Sequence, residues 1–288
     1  MTNLFKDKGR VIYAFLFFLS ILPFIGRVSQ KISSKIVKKE NELYKPELYY
    51  INSLDKASNY IDSAYRSKYS TNFDTSLYVQ EISDFTKARF YHGLSHYNAA
   101  ENWIAYFGGK FLWSHMSAIV EPNDILKHSE GLCSQQTIVF MELLKRSHIK
   151  ARSVGLGYKE GPGHFLSEVY YNNSWRLHDV TMEPQWRKVA NKHRSMDYYI
   201  QHKDSLYLVY ESRLDKKVFD KITEKVSYGG VNEFPAKKML FFHKITLWIT
   251  YLLPFALLLL FFRSPSSKSN RAEKPTSDFT GKAEKINI

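Results

Sequence analysis

Two long apolar segments lie near the ends of the chain and predict membrane helices. The first, residues 11–26, has no charged side chain. As a helix it would span about 24 Å, less than the roughly 30 Å of a bilayer's hydrocarbon core, and Lys8, Arg10 and Arg27 can reach the head groups at its ends. A cleaved signal peptide is the alternative. Because no small-residue cleavage site follows Gly26, the sequence favours an uncleaved signal anchor after a short basic N-terminus (residues 1–10).

The second segment, residues 239–262, is a stronger membrane span. Its helix would be about 36 Å long, and residues 245–262 carry no charge, which disfavours a buried core helix. Residues 263–288 are polar and charged and predict a disordered basic tail. The prediction is a two-pass cell-membrane protein. Residues 27–238 would form an extracytoplasmic domain, periplasmic or external, because an N-terminal anchor usually directs the next domain outward.

The middle of the chain predicts an α+β domain in two parts. Apolar residues recur at three- and four-residue steps through residues 47–110, which indicates a helical layer, and Gly108-Gly109 is expected to end it. Residues 110–185 form the second part. It is predicted to contain a helix that starts at Cys133, then strands at residues 151–154, 164–171 and 174–180.

The last two of these strands predict a hairpin with a specific register. Asn172-Asn173 suits a two-residue primed turn, which pairs Tyr171 with Ser174. Because side chains alternate across a strand, His164 and Asp179 then point to the same face as diagonal neighbours, with backbones roughly 7–8 Å apart. An imidazole and a carboxylate can bridge that distance with one hydrogen bond.

Charge and cysteine content narrow the classes of function. The chain has 41 Lys and Arg against 28 Asp and Glu, a net charge of +13, and most of the excess flanks the two apolar segments. Anionic lipid is therefore a better partner than nucleic acid, for which no motif is present. The single cysteine, Cys133, excludes an internal disulfide and any CxxC metal site. A metal site formed by Cys133, His164 and His128 lacks a compact ligand motif, and no cofactor or metal is predicted.

Cys133, His164 and Asp179 are the predicted catalytic residues. A helix N-terminus favours the thiolate at Cys133. His164 would exchange a proton with the thiol, and Asp179 would hold the other ring nitrogen and fix the tautomer. Candidate oxyanion donors are the Cys133 backbone N–H and a side chain among Trp103, Trp113 and Gln135, which the sequence does not rank.

The order of these elements resembles the transglutaminase-like superfamily, a relative of papain-type folds. The resemblance covers about residues 110–185 and rests on four motifs: G-L-C at the start of a helix (131–133), I-x-A-R-x-V (149–154), H-x-x-x-E-V-Y (164–170) and W-x-x-x-D (175–179). It implies a helix carrying the cysteine packed on a small antiparallel sheet, and chemistry on amide bonds through a thioester. Ser134-Gln135-Gln136 departs from the family pattern, so the acyl-donor preference does not transfer.

The sequence therefore predicts a membrane-bound cysteine enzyme, a protease or acyltransferase, acting on a peptide or protein substrate. Cell-envelope peptides are among the candidate substrates, and acyl transfer onto a sugar or lipid is a further alternative. The alternative is a membrane-tethered scaffold that lacks catalysis and serves as a subunit of an envelope or polysaccharide assembly complex with other envelope proteins. Hydrolysis and acyl transfer use the same side chains, so the sequence leaves both open.

Overall fold

The computed structural model describes residues 10–21, 43–69, 72–157, 163–182, 185–189 and 193–264. The chain divides into two compact units. One comprises residues 1–21 and 252–288, and the other residues 22–251. In the first unit, the described residues include the apolar helix α1 (Arg10–Ile21). There the Arg10 guanidinium donates a hydrogen bond to the carbonyl of Ser264 at 2.9 Å and lies over the ring of Phe261.

One of the described helices is long and apolar enough to cross a membrane. This is α10 (Lys237–Arg263), with 27 residues and a mean hydropathy of 2.3 in its most apolar window. Helix α1 has 12 residues and would span about 18 Å, which is short of a bilayer core. Residues 22–26 of the predicted first span lie outside the described residues, as does the predicted tail beyond Ser264. A second spanning helix is therefore not shown.

The N-terminal part of the larger unit is mostly helical, in line with the spacing of its apolar residues. A 3₁₀ turn at Pro46–Tyr50 precedes α2 (Leu54–Lys68), α3 (Thr75–Arg89) and α4 (Ala99–Phe111). The side chains of Ser53, Asp74 and Asn98 accept hydrogen bonds from the first free N–H groups of these three helices. A short parallel pair, β1 (Tyr91–His92) with β2 (Glu130–Gly131), interrupts the helices and is not apparent in the sequence pattern.

The predicted helix end at Gly108-Gly109 is wrong. Helix α4 continues through both glycines to Phe111, and the chain then turns back in a 3₁₀ segment at Ser114–Ser117. A Cβ on Gly109 would lie 2.3 Å from Ser117 Oγ, and one on Gly108 would lie 2.9 Å from the methyl carbon of Met116. The glycines therefore permit close packing of the returning chain on the helix.

A four-stranded antiparallel sheet follows, in the order β5-β4-β3-β6. Its strands are β3 (Lys150–Gly157), β4 (Gly163–Tyr171), β5 (Ser174–His178) and β6 (Val226–Tyr228). The hairpin has the predicted register: Tyr171 pairs with Ser174, and both turn residues, Asn172 and Asn173, have positive φ. The ladder ends at Ser167 and His178, so Asp179 begins the loop that follows β5.

Helices cover both faces of this sheet. Short α5 (Pro122–Ile125) leads to α6 (Cys133–Arg146), which packs with α2 and α3 over one face, against Ala151 and Val169. The other face, with Val154 and Leu166, is covered by three short helices that the sequence analysis did not identify. These are α7 (Met196–Gln201), α8 (Lys203–Tyr210) and α9 (Lys216–Ile222).

A buried ion pair connects the sheet to the second helical layer. Glu168 on β4 has a fully buried side chain, and its Oε2 accepts from Nε and Nη2 of Arg152 at 2.7 and 2.6 Å. Its Oε1 accepts the backbone N–H of Met196, at the start of α7, at 2.5 Å. These contacts give Glu168 a structural role.

We expect Glu168→Ala to lower the free energy of unfolding by about 3–5 kcal/mol, because it leaves a partly buried guanidinium and a buried N–H without their acceptor. Denaturant unfolding of the detergent-solubilised chain measures this. The matched control is Glu224→Ala, an exposed carboxylate, which should change stability by less than about 0.5 kcal/mol. Equal losses in the two variants would contradict the structural role of Glu168.

Candidate active site

Cys133 is the first residue of α6, as the sequence predicts. Leu132 precedes the helix with an extended backbone, so the N–H groups of the first turn have no acceptor within the helix. The Cys133 side chain is partly exposed. A helix N-terminus carries partial positive charge, which favours a thiolate at this position.

Gln135 fixes this helix start and is not available as an oxyanion donor. Its Oε1 accepts the N–H groups of Leu132 and Ser95, at 3.1 and 2.9 Å, while its Nε2 donates to the carbonyls of Ser95 and Ile119, at 2.6 and 2.8 Å. The amide is 2% exposed, and these four bonds use both of its ends. The structure therefore removes Gln135 from the predicted donors.

His164 lies at the start of β4, close to the loop that follows β5. Its Nε2 is 2.6 Å from Oδ2 of Asp179, and both side chains are almost fully buried. The two side chains meet as the hairpin register predicts, although Asp179 lies just beyond the paired part of the hairpin. Because Nε2 faces Asp179, Nδ1 is the ring nitrogen left for the thiol.

Asp179 is held by four donors. Oδ1 accepts the backbone N–H groups of Thr181 and Met182 at 2.9 and 3.1 Å, and Oδ2 accepts the Tyr210 hydroxyl at 2.8 Å in addition to His164. Sequence reasoning missed Tyr210, because this side chain belongs to the apolar stripe of α8 and nothing in its spacing distinguishes it from core. Only the tertiary structure places its hydroxyl next to Asp179.

His164 and the backbone N–H of Phe165 are the groups that lower the pKa of the Cys133 thiol. Burial raises the pKa of the thiol, but the hydrogen bond and charge of His164, with the Phe165 N–H, outweigh burial and bring the pKa below its ordinary value. The Thr137 hydroxyl, one helical turn further along α6, donates to the Phe165 carbonyl at 3.2 Å. This bond holds the same peptide segment against the helix.

The imidazole and the carboxylate are shifted toward their charged forms. Burial lowers the pKa of His164, but the charge and hydrogen bond of Asp179 more than reverse this, so the pKa is raised. Burial also raises the pKa of Asp179, whereas His164 and the two backbone N–H groups bring it below its ordinary value. The arrangement therefore favours a thiolate at Cys133, an imidazolium at His164 and a carboxylate at Asp179.

A cleft of about 750 Å³ lies on the α6 face of the sheet; Phe165 lines it, whereas Cys133, His164 and Asp179 do not. Its walls include Trp113, Gly155, Phe165 and Tyr228, and its far end is formed by the first residues of α10, Lys237–Met239. The wall at Phe165 belongs to the peptide whose N–H reaches the Cys133 sulfur. Trp113, one of the predicted oxyanion donors, lines this cleft, whereas Trp103 does not.

The described residues contain no group of three or more His, Cys, Asp or Glu side chains that could hold a metal ion. His128, the third member of the metal site considered from the sequence, pairs instead with Glu101 at 3.1 Å. The structure thus brings Cys133, His164 and Asp179 together and uses His128 elsewhere.

Comparisons with known proteins add little to this geometry. No protein-family model matches the chain, and no curated protein matches it. Among solved structures, the chain aligns with one described as the crystal structure of a TGase, at 17% sequence identity, over 63% of this chain and 42% of that one, with a TM-score of 0.29.

The thiolate of Cys133 should persist below the pH at which an ordinary thiol loses it, and it should be lost as the pH falls through the lowered pKa. We expect His164→Ala to move the midpoint of the alkylation profile upward, to the ordinary thiol value of about 8.5 or above, since burial then acts without the imidazolium. Iodoacetamide rates across pH measure this. His202→Ala, at an exposed histidine, is the control, and equal midpoints for wild type and His164→Ala would refute the pairing.

Tyr210→Phe removes one of the four donors from Asp179 and leaves the ring in place. The carboxylate then attracts the proton of His164 more strongly, so we expect a further rise in the pKa of His164, read from histidine ¹³Cε1 shifts across pH. Tyr199→Phe is the matched control, because Tyr199 is buried in the same core and does not contact Asp179. If both variants left the His164 titration unchanged, Tyr210 would have no positioning role.

Proposed function

We propose that this chain is a membrane-bound cysteine enzyme of transglutaminase-like type, which acts on amide bonds through a thioester. The observation that carries the proposal is the hydrogen-bonded sequence Cys133–His164–Asp179 at a helix start, with the pKa of the thiol lowered and that of the imidazole raised. The order and types of these residues are those of nucleophile, base and orienting carboxylate.

In the acylation step, the Cys133 thiolate attacks the carbonyl carbon of the amide, and a C–S bond forms. The carbonyl oxygen becomes an oxyanion, which the free N–H of the first turn of α6 can stabilise. As the intermediate collapses, the C–N bond breaks, and the proton on Nδ1 of His164 passes to the departing amine. The products are the free amine and a thioester on Cys133, with His164 neutral.

In the second step, water or an amine attacks the thioester while His164 takes its proton. The C–S bond breaks, and the thiolate and the imidazolium are restored. Water gives net hydrolysis and an amine gives transfer, through the same side chains.

A non-catalytic scaffold explains these features less well. Burying a charged imidazole and a carboxylate costs more desolvation energy than packing apolar residues of the same volume, so such a pair is weak evidence of a stabilising role. Here the pair lies against a partly exposed thiol, which a scaffold has no need of. The concentration of shifted pKa values around one nucleophile supports an enzyme.

Membrane attachment completes the proposal. Residues 245–262 of α10 are free of charge over about 27 Å, which suits a bilayer core. The catalytic unit would face the periplasm or the exterior, with a peptide or protein of the cell envelope as substrate.

Acylation by 4-nitrophenyl acetate tests the enzymatic function. We expect wild type to release a stoichiometric burst of nitrophenol and to gain one acetyl group on Cys133 by mass spectrometry. Cys133→Ala should give no burst, and His164→Ala should slow acylation by about 10²–10⁴-fold.

His96→Ala, at an exposed histidine whose Nδ1 lies 3.2 Å from the Leu94 carbonyl, is the matched control and should acylate at the wild-type rate. Wild-type acylation no faster than that of free cysteine would leave the scaffold as the better description. Repeating the reaction with an added amine separates transfer from hydrolysis, because only transfer gives a new amide.

A further inference from the structure

The end of α4 exposes an apolar patch that the domain core does not cover. Phe107 is 43% exposed, Phe111 70%, Leu112 80% and Trp113 56%. We call these four residues the aromatic end of α4. Contiguous exposed apolar patches of this kind mark surfaces that contact a partner protein or a membrane.

The chemistry of the patch is that of a membrane–water interface. Phe107 and Phe111 stack with ring centroids 6.0 Å apart, and Tyr106 meets Phe107 edge-on at 5.2 Å. The Lys110 ammonium lies 5.6 Å from the centre of the Phe111 ring. Aromatic side chains with adjacent cations are enriched where a protein passes between lipid tails and head groups.

Buried polar contacts tie α4 to the first half of α10. Asn102 Nδ2 donates to the Thr246 hydroxyl at 2.8 Å, and His243 Nε2 donates to the Met116 carbonyl at 2.8 Å. Asn102 has a non-helical backbone that bends α4 at this contact. Thr246 is the second residue of the charge-free run of α10, so Asn102 lies at the level where that run begins, whereas Trp113 shares a cleft with Lys237–Met239, the first residues of α10.

We propose that the aromatic end of α4 inserts into the interfacial layer of the bilayer beside α10. The inference rests on the proposed membrane attachment, and it adds a second, peripheral contact with lipid. The bilayer is the occupant that the structure favours, because Trp113 of the patch lines the same cleft as Lys237–Met239, the first residues of the one described helix able to span a membrane.

The insertion has a consequence for the site. Trp113 belongs both to the aromatic end and to the wall of the cleft beside Phe165, and Lys238 of α10 lies at the end of that cleft. With Trp113 at head-group depth, the cleft opens at the membrane surface.

Nitroxide quenching of a single fluorescent label tests the insertion. Because Cys133 is the only cysteine, Cys133→Ser gives a background in which Phe111→Cys, Phe73→Cys or Phe255→Cys can be labelled with NBD. Phe73 is the matched control. Its exposed fraction, 64%, is close to the 70% of Phe111, and it lies far from α10 in the sequence. Phe255 lies in the charge-free run of α10. Each labelled chain is reconstituted into vesicles of phosphatidylcholine and phosphatidylglycerol that carry nitroxides at the head group, at carbon 5 or at carbon 12.

We expect the label at position 111 to lose emission to the head-group and carbon-5 nitroxides, the label at 255 to lose it to the carbon-12 nitroxide, and the label at 73 to keep it. Quenching at 255 with none at 111 would overturn the insertion and leave membrane attachment standing. A blue-shifted but unquenched label at 111 would also overturn it, since a protein then covers the patch. No quenching at 255 would remove the membrane attachment and the insertion together.

Discussion

The contact between His164 and Asp179 is the interaction on which the site depends. Both side chains are almost fully buried, and either one alone would be driven toward its neutral form by the loss of water. Together, at 2.6 Å, they keep each other charged, and the imidazolium in turn lowers the pKa of Cys133. The reactivity of the thiol is thus set by a carboxylate that does not touch it.

The surrounding fold contributes mainly by supplying donors to that carboxylate. Thr181 and Met182 donate backbone N–H groups to Asp179 because the chain turns immediately after β5. Tyr210 donates its hydroxyl from α8, in the helical layer that covers Val154 and Leu166 of the sheet. Gln135 positions Cys133 in a similar way, since its amide ties the start of α6 to the Ser95 and Ile119 backbone. The site is therefore built from segments more than 100 residues apart.

The sequence predicted those parts of the site that local rules determine. Cys133 at a helix start and the register of the β4–β5 hairpin follow from helix periodicity and from a two-residue Asn-Asn turn, and the structure has both. Tyr210 and the donor set of Gln135 could not be predicted in this way. Their partners are distant in sequence, and their side chains fit equally well in an apolar stripe or at a helix cap. Helices α7–α9 were not predicted for a related reason: each is too short to show a clear helical period of apolar residues.

The glycine pair of α4 shows how a local rule can mislead. Two adjacent glycines usually end a helix, but here the absence of side chains lets the chain at Met116 and Ser117 fold back directly onto the helix surface. That close approach brings the Met116 carbonyl to His243 of α10. A larger residue at Gly109 would collide with Ser117 and displace this carbonyl, so the contact between Met116 and His243 depends on a packing requirement that only the tertiary structure reveals.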